Sequence, residues 1–286
     1  MDPLEELIRA QPGLSLLLAA LGLVVGSFLN VVIHRLPKIM EAQWARDCAE
    51  YRDESLPSEE PLSLAYPGSQ CPHCNTKIKP WQNIPVVSYL VLHGRCASCE
   101  ASISIRYPLV EIITALIWVI CGLSFGVSNA LAGALLLTAV LVTLTAIDLD
   151  HQLLPDSLTL PLLWIGLLLN MMGTFTSLES ALLGAVFGYL SLWSVYWLFK
   201  IVTSKEGMGY GDFKLLAALG AWFGLAALPT IVLLSSLVGA TLGLTLILTG
   251  KQSRETPMPF GPFLAGAGLI HLLYPNALLG WITGGI

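Results

Sequence analysis

Two aspartates stand at the ends of long apolar stretches. Asp148 lies in Thr145-Ala146-Ile147-Asp148-Leu149-Asp150-His151, and Asp212 in Gly207-Met208-Gly209-Tyr210-Gly211-Asp212. A carboxylate at the edge of hydrocarbon is costly, so two of them on one side of a membrane point to a shared chemical task. Carboxyls roughly 3 Å apart cannot both ionise comfortably, so they share a proton: one activates water while the other protonates a carbonyl oxygen. The chemistry expected is aspartyl proteolysis. Asp148 falls at a helix C-terminus, where the dipole disfavours negative charge, and Asp212 at an N-terminus, where it favours it. Charge is therefore expected on Asp212 and the proton on Asp148. Gly209 and Gly211 give the loop backbone conformations closed to other residues and let a substrate approach closely. Taken singly, Asp212 also reads as a helix N-cap and Asp148 as a solvated loop residue. Asp156 reads as a cap for the helix that follows it.

A second cluster consists of thiols. Cys71-Pro72-His73-Cys74 and Cys96-Ala97-Ser98-Cys99 are two C-x-x-C knuckles at a separation close to that of four-cysteine zinc sites. Four thiolates complete a tetrahedral shell and leave no position for substrate, so the expected Zn2+ is structural. It would fold a segment too small to stabilise itself by apolar burial. Redox-active or disulfide-bonded cysteines are the alternative. Cys48 and Cys121 lack partners at useful spacing and read as small buried or incidental residues.

The elements that must position these groups follow from composition. Of 286 residues, 55% are hydrophobic and 12% charged, against about 25% charged in soluble domains. The fold class expected is an all-α polytopic membrane protein with eight transmembrane helices, near 14–33, 108–125, 130–147, 158–173, 180–200, 213–227, 229–249 and 262–282. The first run is too long for a signal-peptide core of roughly 7–15 residues and reads as a retained helix. Three domains follow: 1–33 with the first helix, a polar domain over 34–107 carrying the knuckles, and a seven-helix core over 108–286. With the N-terminus outside, every Lys and Arg except Arg9 falls inside, as the bias of short cytoplasmic loops requires.

Several stretches, in order, resemble the bacterial type IV prepilin peptidases. They are Gly26-Ser27-Phe28-Leu29-Asn30-Val31-Val32-Ile33-His34-Arg35-Leu36-Pro37, the two knuckles, Arg106-Tyr107-Pro108-Leu109-Val110-Glu111, Ile147-Asp148 through Pro155-Asp156, and Gly209-Tyr210-Gly211-Asp212. A lone G-x-G-D would be weak, whereas five ordered blocks are specific. The resemblance implies an inner-membrane enzyme that cuts the basic leader from type IV prepilins and type II secretion pseudopilins. It then methylates the new N-terminal amine with S-adenosyl-L-methionine. Mapped by motif, the catalytic aspartates are Asp148 and Asp212, and the zinc ligands Cys71, Cys74, Cys96 and Cys99. The implied partners are these pilin precursors and the lipid bilayer, with no nucleic acid.

Some residues stay open. Glu111 and Asn30 suit amine recognition or methyl transfer, but also a pairing of Glu111 with Arg106 and a helix-packing amide for Asn30. Acidic Glu50, Asp53, Glu54, Glu59 and Glu60 could attract a basic leader or form a solvated run. Pro257-Met258-Pro259-Phe260-Gly261-Pro262-Phe263 is expected to form a stiff loop near the aspartates, and His271 to serve packing. No glycine-rich nucleotide fingerprint follows a predicted strand, so the methyl donor's site is not derivable from the chain alone. Competing functions are an ion-coupled transporter, which would place acids near the midplane, and a membrane scaffold whose zinc module binds a partner.

Overall fold

The computed structural model describes residues 12–54, 62–205, 207–250 and 258–275. Regular structure among them is helical: α1 (Pro12–Tyr51), α2 (Val87–Val91), α3 (Arg106–Phe125), α4 (Asn129–His151), α5 (Asp156–Met171), α6 (Leu178–Thr203), α7 (Tyr210–Phe223), α8 (Leu228–Leu248) and α9 (Gly261–Leu273). Two isolated antiparallel bridges, Gln70 with Lys77 and Arg95 with Ser102, fall in the cysteine segment. Each of the eight expected spans holds an α-helix among the described residues, which stops short of the expected end in the fourth, sixth, seventh and eighth, at Met171, Phe223, Leu248 and Leu273. Residues 276–282 of the last span, Glu59, Glu60 and Pro257 lie outside the described residues.

Length separates these helices. The windows of α1, α3, α4, α6 and Leu225–Leu248 are long and apolar enough to cross a membrane, whereas α5 and α9 are shorter apolar helices and α7 has 14 residues. At 1.5 Å per residue α7 covers only about 21 Å, less than a hydrocarbon core of about 30 Å.

Contacts divide the chain after Gly126. In the N-terminal unit α1 and α3 touch backbone to backbone. A β carbon on Gly22 would lie 2.6 Å from Ala115 Cα, and one on Gly26 would lie 2.7 Å from Glu111 Cα. Small residues one turn apart allow this approach where lipid supplies no hydrophobic drive. Helix α3 therefore belongs with α1 and the knuckles, so the unit ends later than a boundary at 107/108 drawn from polarity. Helix α1 also runs on past residue 33 to Tyr51, through Pro37, for 40 residues. The extension is built from good helix formers such as Met40, Glu41, Ala42, Gln43 and Ala45, which hold the helix beyond the apolar run. Glu50, Asp53 and Glu54 stand exposed at its end.

The C-terminal unit is organised around α7, which is buried from Asp212 to Trp222 apart from Lys214. A helix apolar all round is one enclosed by others. Glycines set its distance from α6: Gly184 and Gly220 meet backbone to backbone, and a β carbon on Gly188 would lie 2.7 Å from Leu216 O. Its C-terminal end is clasped by buried Asn170. The amide nitrogen donates to Ala221 O and Trp222 O at 2.8 and 2.9 Å, and Oδ1 accepts from Phe175 N and Thr176 N, each at 3.0 Å.

Candidate active site and zinc module

Asp148 sits in the last turn of α4, which Gln152 closes by adopting a left-handed conformation and donating its N–H to Asp148 O. The side chain is buried, at 5% exposure. Its Oδ2 accepts a 2.9 Å hydrogen bond from the Gly261 N–H, at the start of α9. A β carbon at 261 would lie 2.6 Å from that same oxygen, so the contact requires glycine. The stretch 257–263, expected only to lie near the aspartates, thus supplies a specific donor.

Asp212 is the third residue of α7, whose N-cap is Gly209. It is therefore not the N-cap that its position in the sequence allowed. It is 7% exposed, and its Oδ1 has no hydrogen-bond partner among the described residues. Asp148 is close enough for its charge to act on Asp212. Neither Gly209 nor Gly211 has a positive φ, which corrects the expectation of unusual backbone there. Glycine at 211 makes room instead: a β carbon would meet Leu154 Cβ at 2.7 Å, and Leu154 also lies against Gly261. Leu154 thereby packs between the starts of α7 and α9.

Two further contacts fix the start of α7. Lys214 Nζ pairs with Asp156 Oδ1 and Oδ2 at 2.6 and 2.7 Å. Asp156 is thus in the first turn of α5, after the N-cap Pro155, and ties two helix starts together rather than capping one. Tyr210 stacks among aromatic rings, with centroids 5.3 Å from both Tyr196 and Phe213. His271 packs edge-on against Phe223 at 5.1 Å.

The four thiols of Cys71, Cys74, Cys96 and Cys99 come together, with all Sγ atoms within 4.8 Å of one another. Each knuckle is built the same way. Asn75 N donates to Cys71 O and Cys71 N to Thr76 O, just as Glu100 N donates to Cys96 O and Cys96 N to Ala101 O. Asn75 and Glu100 take the left-handed conformation that the turn needs. Cys71 and Cys99 Sγ are 3.8 Å apart, close to the edge of about 3.8 Å in a tetrahedron with 2.3 Å Zn–S bonds and far beyond a disulfide of about 2.05 Å. The Thr76 hydroxyl and N–H pull the Cys74 thiol down to about 6. Cys99, despite the lowering N–H of Ala101, is pushed up to about 12 by desolvation and by its three thiol neighbours. A dication relieves that crowding of thiolates, so the residues present fit zinc. Cys121 is fully buried and Cys48 exposed.

Asn30 on α1 and Glu111 on α3 are both buried. Asn30 Nδ2 donates to Tyr107 O at 3.0 Å. Glu111 Oε2 accepts from Val86 N at 2.8 Å, and Ser27 also bonds the carboxylate. Glu111 is thus tied to Val86 of the cysteine segment and to Ser27 of α1.

Residues 20–125 match the bacterial peptidase A24 N-terminal domain, and residues 135–244 match the type IV leader peptidase family. A prepilin leader peptidase/N-methyltransferase of Pseudomonas aeruginosa is 55% identical over 278 residues, covering 96% of each chain. This chain belongs to the type IV leader peptidase family. Proteins of the same description are 54% identical in Stutzerimonas stutzeri, over 97% of this chain and 96% of that one, and 55% identical in Aeromonas hydrophila, over 98% of each. No solved structure matches. The two family segments follow the two compact units. The first holds the four cysteines, Asn30 and Glu111; the second holds Asp148 and Asp212, while Gly261 lies beyond it.

Proposed function

We propose that this protein is a prepilin peptidase and N-methyltransferase: it cleaves the basic leader of type IV prepilins and pseudopilins, then methylates the new N-terminus. The observation that carries the reading is the burial of Asp148 and Asp212 at the ends of α4 and α7, with Leu154 packed against both Gly211, beside Asp212, and Gly261, which touches Asp148.

The hydrogen bonds support an order within the pair. Each carboxylate meets one backbone N–H, Asp148 that of Gly261 and Asp212 that of Gly209; Asp212 also keeps a buried Oδ1 without a partner among the described residues, which makes it the better seat for the proton and Asp148 the better seat for the charge. This order is the reverse of the one drawn from helix polarity: the first N–H of α9 bonds Asp148 and offsets the C-terminus of α4, whereas Oδ1 of Asp212 finds no donor among the described residues although it lies in the first turn of α7. Asp148 takes a proton from water as the water oxygen bonds to the scissile carbon, and Asp212 gives its proton to the carbonyl oxygen. As the C–N bond breaks, Asp148 passes its proton to the leaving amine and Asp212 regains the one it lent.

Zn2+ held by Cys71, Cys74, Cys96 and Cys99 would act as a structural ion. S-adenosyl-L-methionine supplies the methyl group for the second reaction. The distribution of Lys and Arg supports an inner-membrane placement with the N-terminus periplasmic and the cysteine module and active-site loops cytoplasmic.

The reading is tested by incubating the purified protein with a prepilin and following leader release and labelled methyl transfer separately. Asp148→Asn and Asp212→Asn should each slow leader release by about 100- to 10,000-fold while sparing methylation of pre-cut pilin. Undiminished release in either variant would overturn the dyad.

A further inference from the structure

The N-terminal unit contains a cavity of about 620 Å3, in the size range of small-molecule sites. Its lining brings opposite charges together: Glu111 from α3, Arg35 and Lys38 from α1, with the amides of Asn30 and Gln82 among them. These charged and amide groups sit in an otherwise mostly apolar lining, which suits a ligand that combines charges of both signs with a hydrophobic body.

Glu111 is held ready for a cation. It is 7% exposed, and its known partners, Val86 N–H and Ser27, do not exhaust the roughly four lone-pair positions of a carboxylate. Neither partner carries charge, so they orient the group without neutralising it. Gly26 allows α1 to approach Glu111 at its Cα, which fixes the backbone beneath the side chain. The donor on the other side is strained. Val86 has φ 59° and ψ −47°, an outlying conformation for a β-branched residue. Strain of this kind persists where surrounding contacts over-determine it, and it clusters at ligand sites. The anionic end of a ligand has its counterpart on α1. Arg35 spends Nη1 on Ser63 O and Leu64 O, which leaves further donors of the guanidinium fork.

We propose that this cavity binds the methyl donor S-adenosyl-L-methionine, with Glu111 facing its positive sulfonium end and Arg35 its carboxylate. The proposal rests on the methyl-transfer reading above and names the site of that activity. In the transfer the S–CH3 bond breaks as the N–CH3 bond forms, the electron pair stays on sulfur, and the amine loses a proton. Sulfur thereby loses its charge, so Glu111 favours the donor over the spent S-adenosylhomocysteine and helps the product leave.

Calorimetric titration of the full chain in detergent, with S-adenosylmethionine and with S-adenosylhomocysteine, tests this. Wild-type protein should bind the charged donor at least about tenfold more tightly, as expected for one charge-assisted contact. In Glu111→Gln, with helical content and zinc stoichiometry matching wild type, that ratio should fall towards one. Arg35→Gln should weaken both ligands alike, by about tenfold. An unchanged ratio in E111Q overturns the assignment, as does an effect confined to the KM of the pilin amine, which would place the acceptor there. If E111Q does not fold, R35Q decides, and unaltered affinity for both ligands overturns the site. Wild-type protein that transfers no methyl group to pre-cut pilin would instead defeat the underlying reading.

Discussion

The backbone N–H of Gly261 meets Asp148 Oδ2 at 2.9 Å, and there is no room for a β carbon between them. One backbone donor at the start of α9 thus holds a buried carboxylate at the end of α4, and α9 becomes part of the site although it carries no acid of its own among its described residues.

Gly261→Ala should push the Asp148 carboxylate aside. A displacement of about 1 Å at a reacting group costs about 100-fold in rate, so kcat for leader release should fall by that order. Zinc content should not change, because the cysteines lie in the other unit. Single-turnover cleavage of a prepilin with parallel metal analysis checks both.

Asp148→Asn removes the base and Asp212→Asn the acid. Each loss is worth about 100- to 10,000-fold, and the double variant should be no worse than the more damaging single one, since the two act as a unit. Rates that multiply in the double variant would show independent roles.

One zinc per chain is expected by mass spectrometry of the purified protein. Cys71→Ser or Cys96→Ser should lose it, and Cys48→Ser and Cys121→Ser should keep it. Because metal binding is folding free energy for a segment this small, chelation should also make residues 62–105 susceptible to protease while α4 to α9 stay resistant.

Asn170→Leu strips the C-terminal end of α7 of its clasp and leaves several buried backbone groups unmatched. Each such group costs about 1–3 kcal/mol, so the melting temperature in detergent should fall clearly. Lys214→Ala breaks only a partly exposed pair, with side-chain exposures of 28% and 55%, and should cost less than about 1 kcal/mol. A larger loss for Lys214→Ala than for Asn170→Leu would invert this ranking of the contacts around α7.

Much of the molecule is legible from local pattern. The longer apolar runs mark helices because a backbone buried in lipid has no other way to satisfy its hydrogen bonds. The knuckles are legible because zinc demands thiols at short spacing. Asp148 and Asp212 stand out because an acid at the edge of hydrocarbon needs a reason. Other features were hidden for equally physical causes. The extension of α1 to Tyr51 follows helix propensity after hydrophobicity has stopped. Gly211 looks like a flexible loop residue but is a helical one that makes way for Leu154. Asp156 looks like a cap but reaches Lys214.

Residue types and their order in the chain by themselves determined the membrane-embedded helical class, the four-thiol module and the two candidate acids, since each depends on a property of a single segment. Tertiary structure alone decided which distant backbone N–H meets Asp148, what holds Glu111 against Val86, and how closely α1 meets α3 and α6 meets α7. Those relations join segments far apart in sequence, and their geometry follows from which small residues let backbones touch, a condition that no single segment contains.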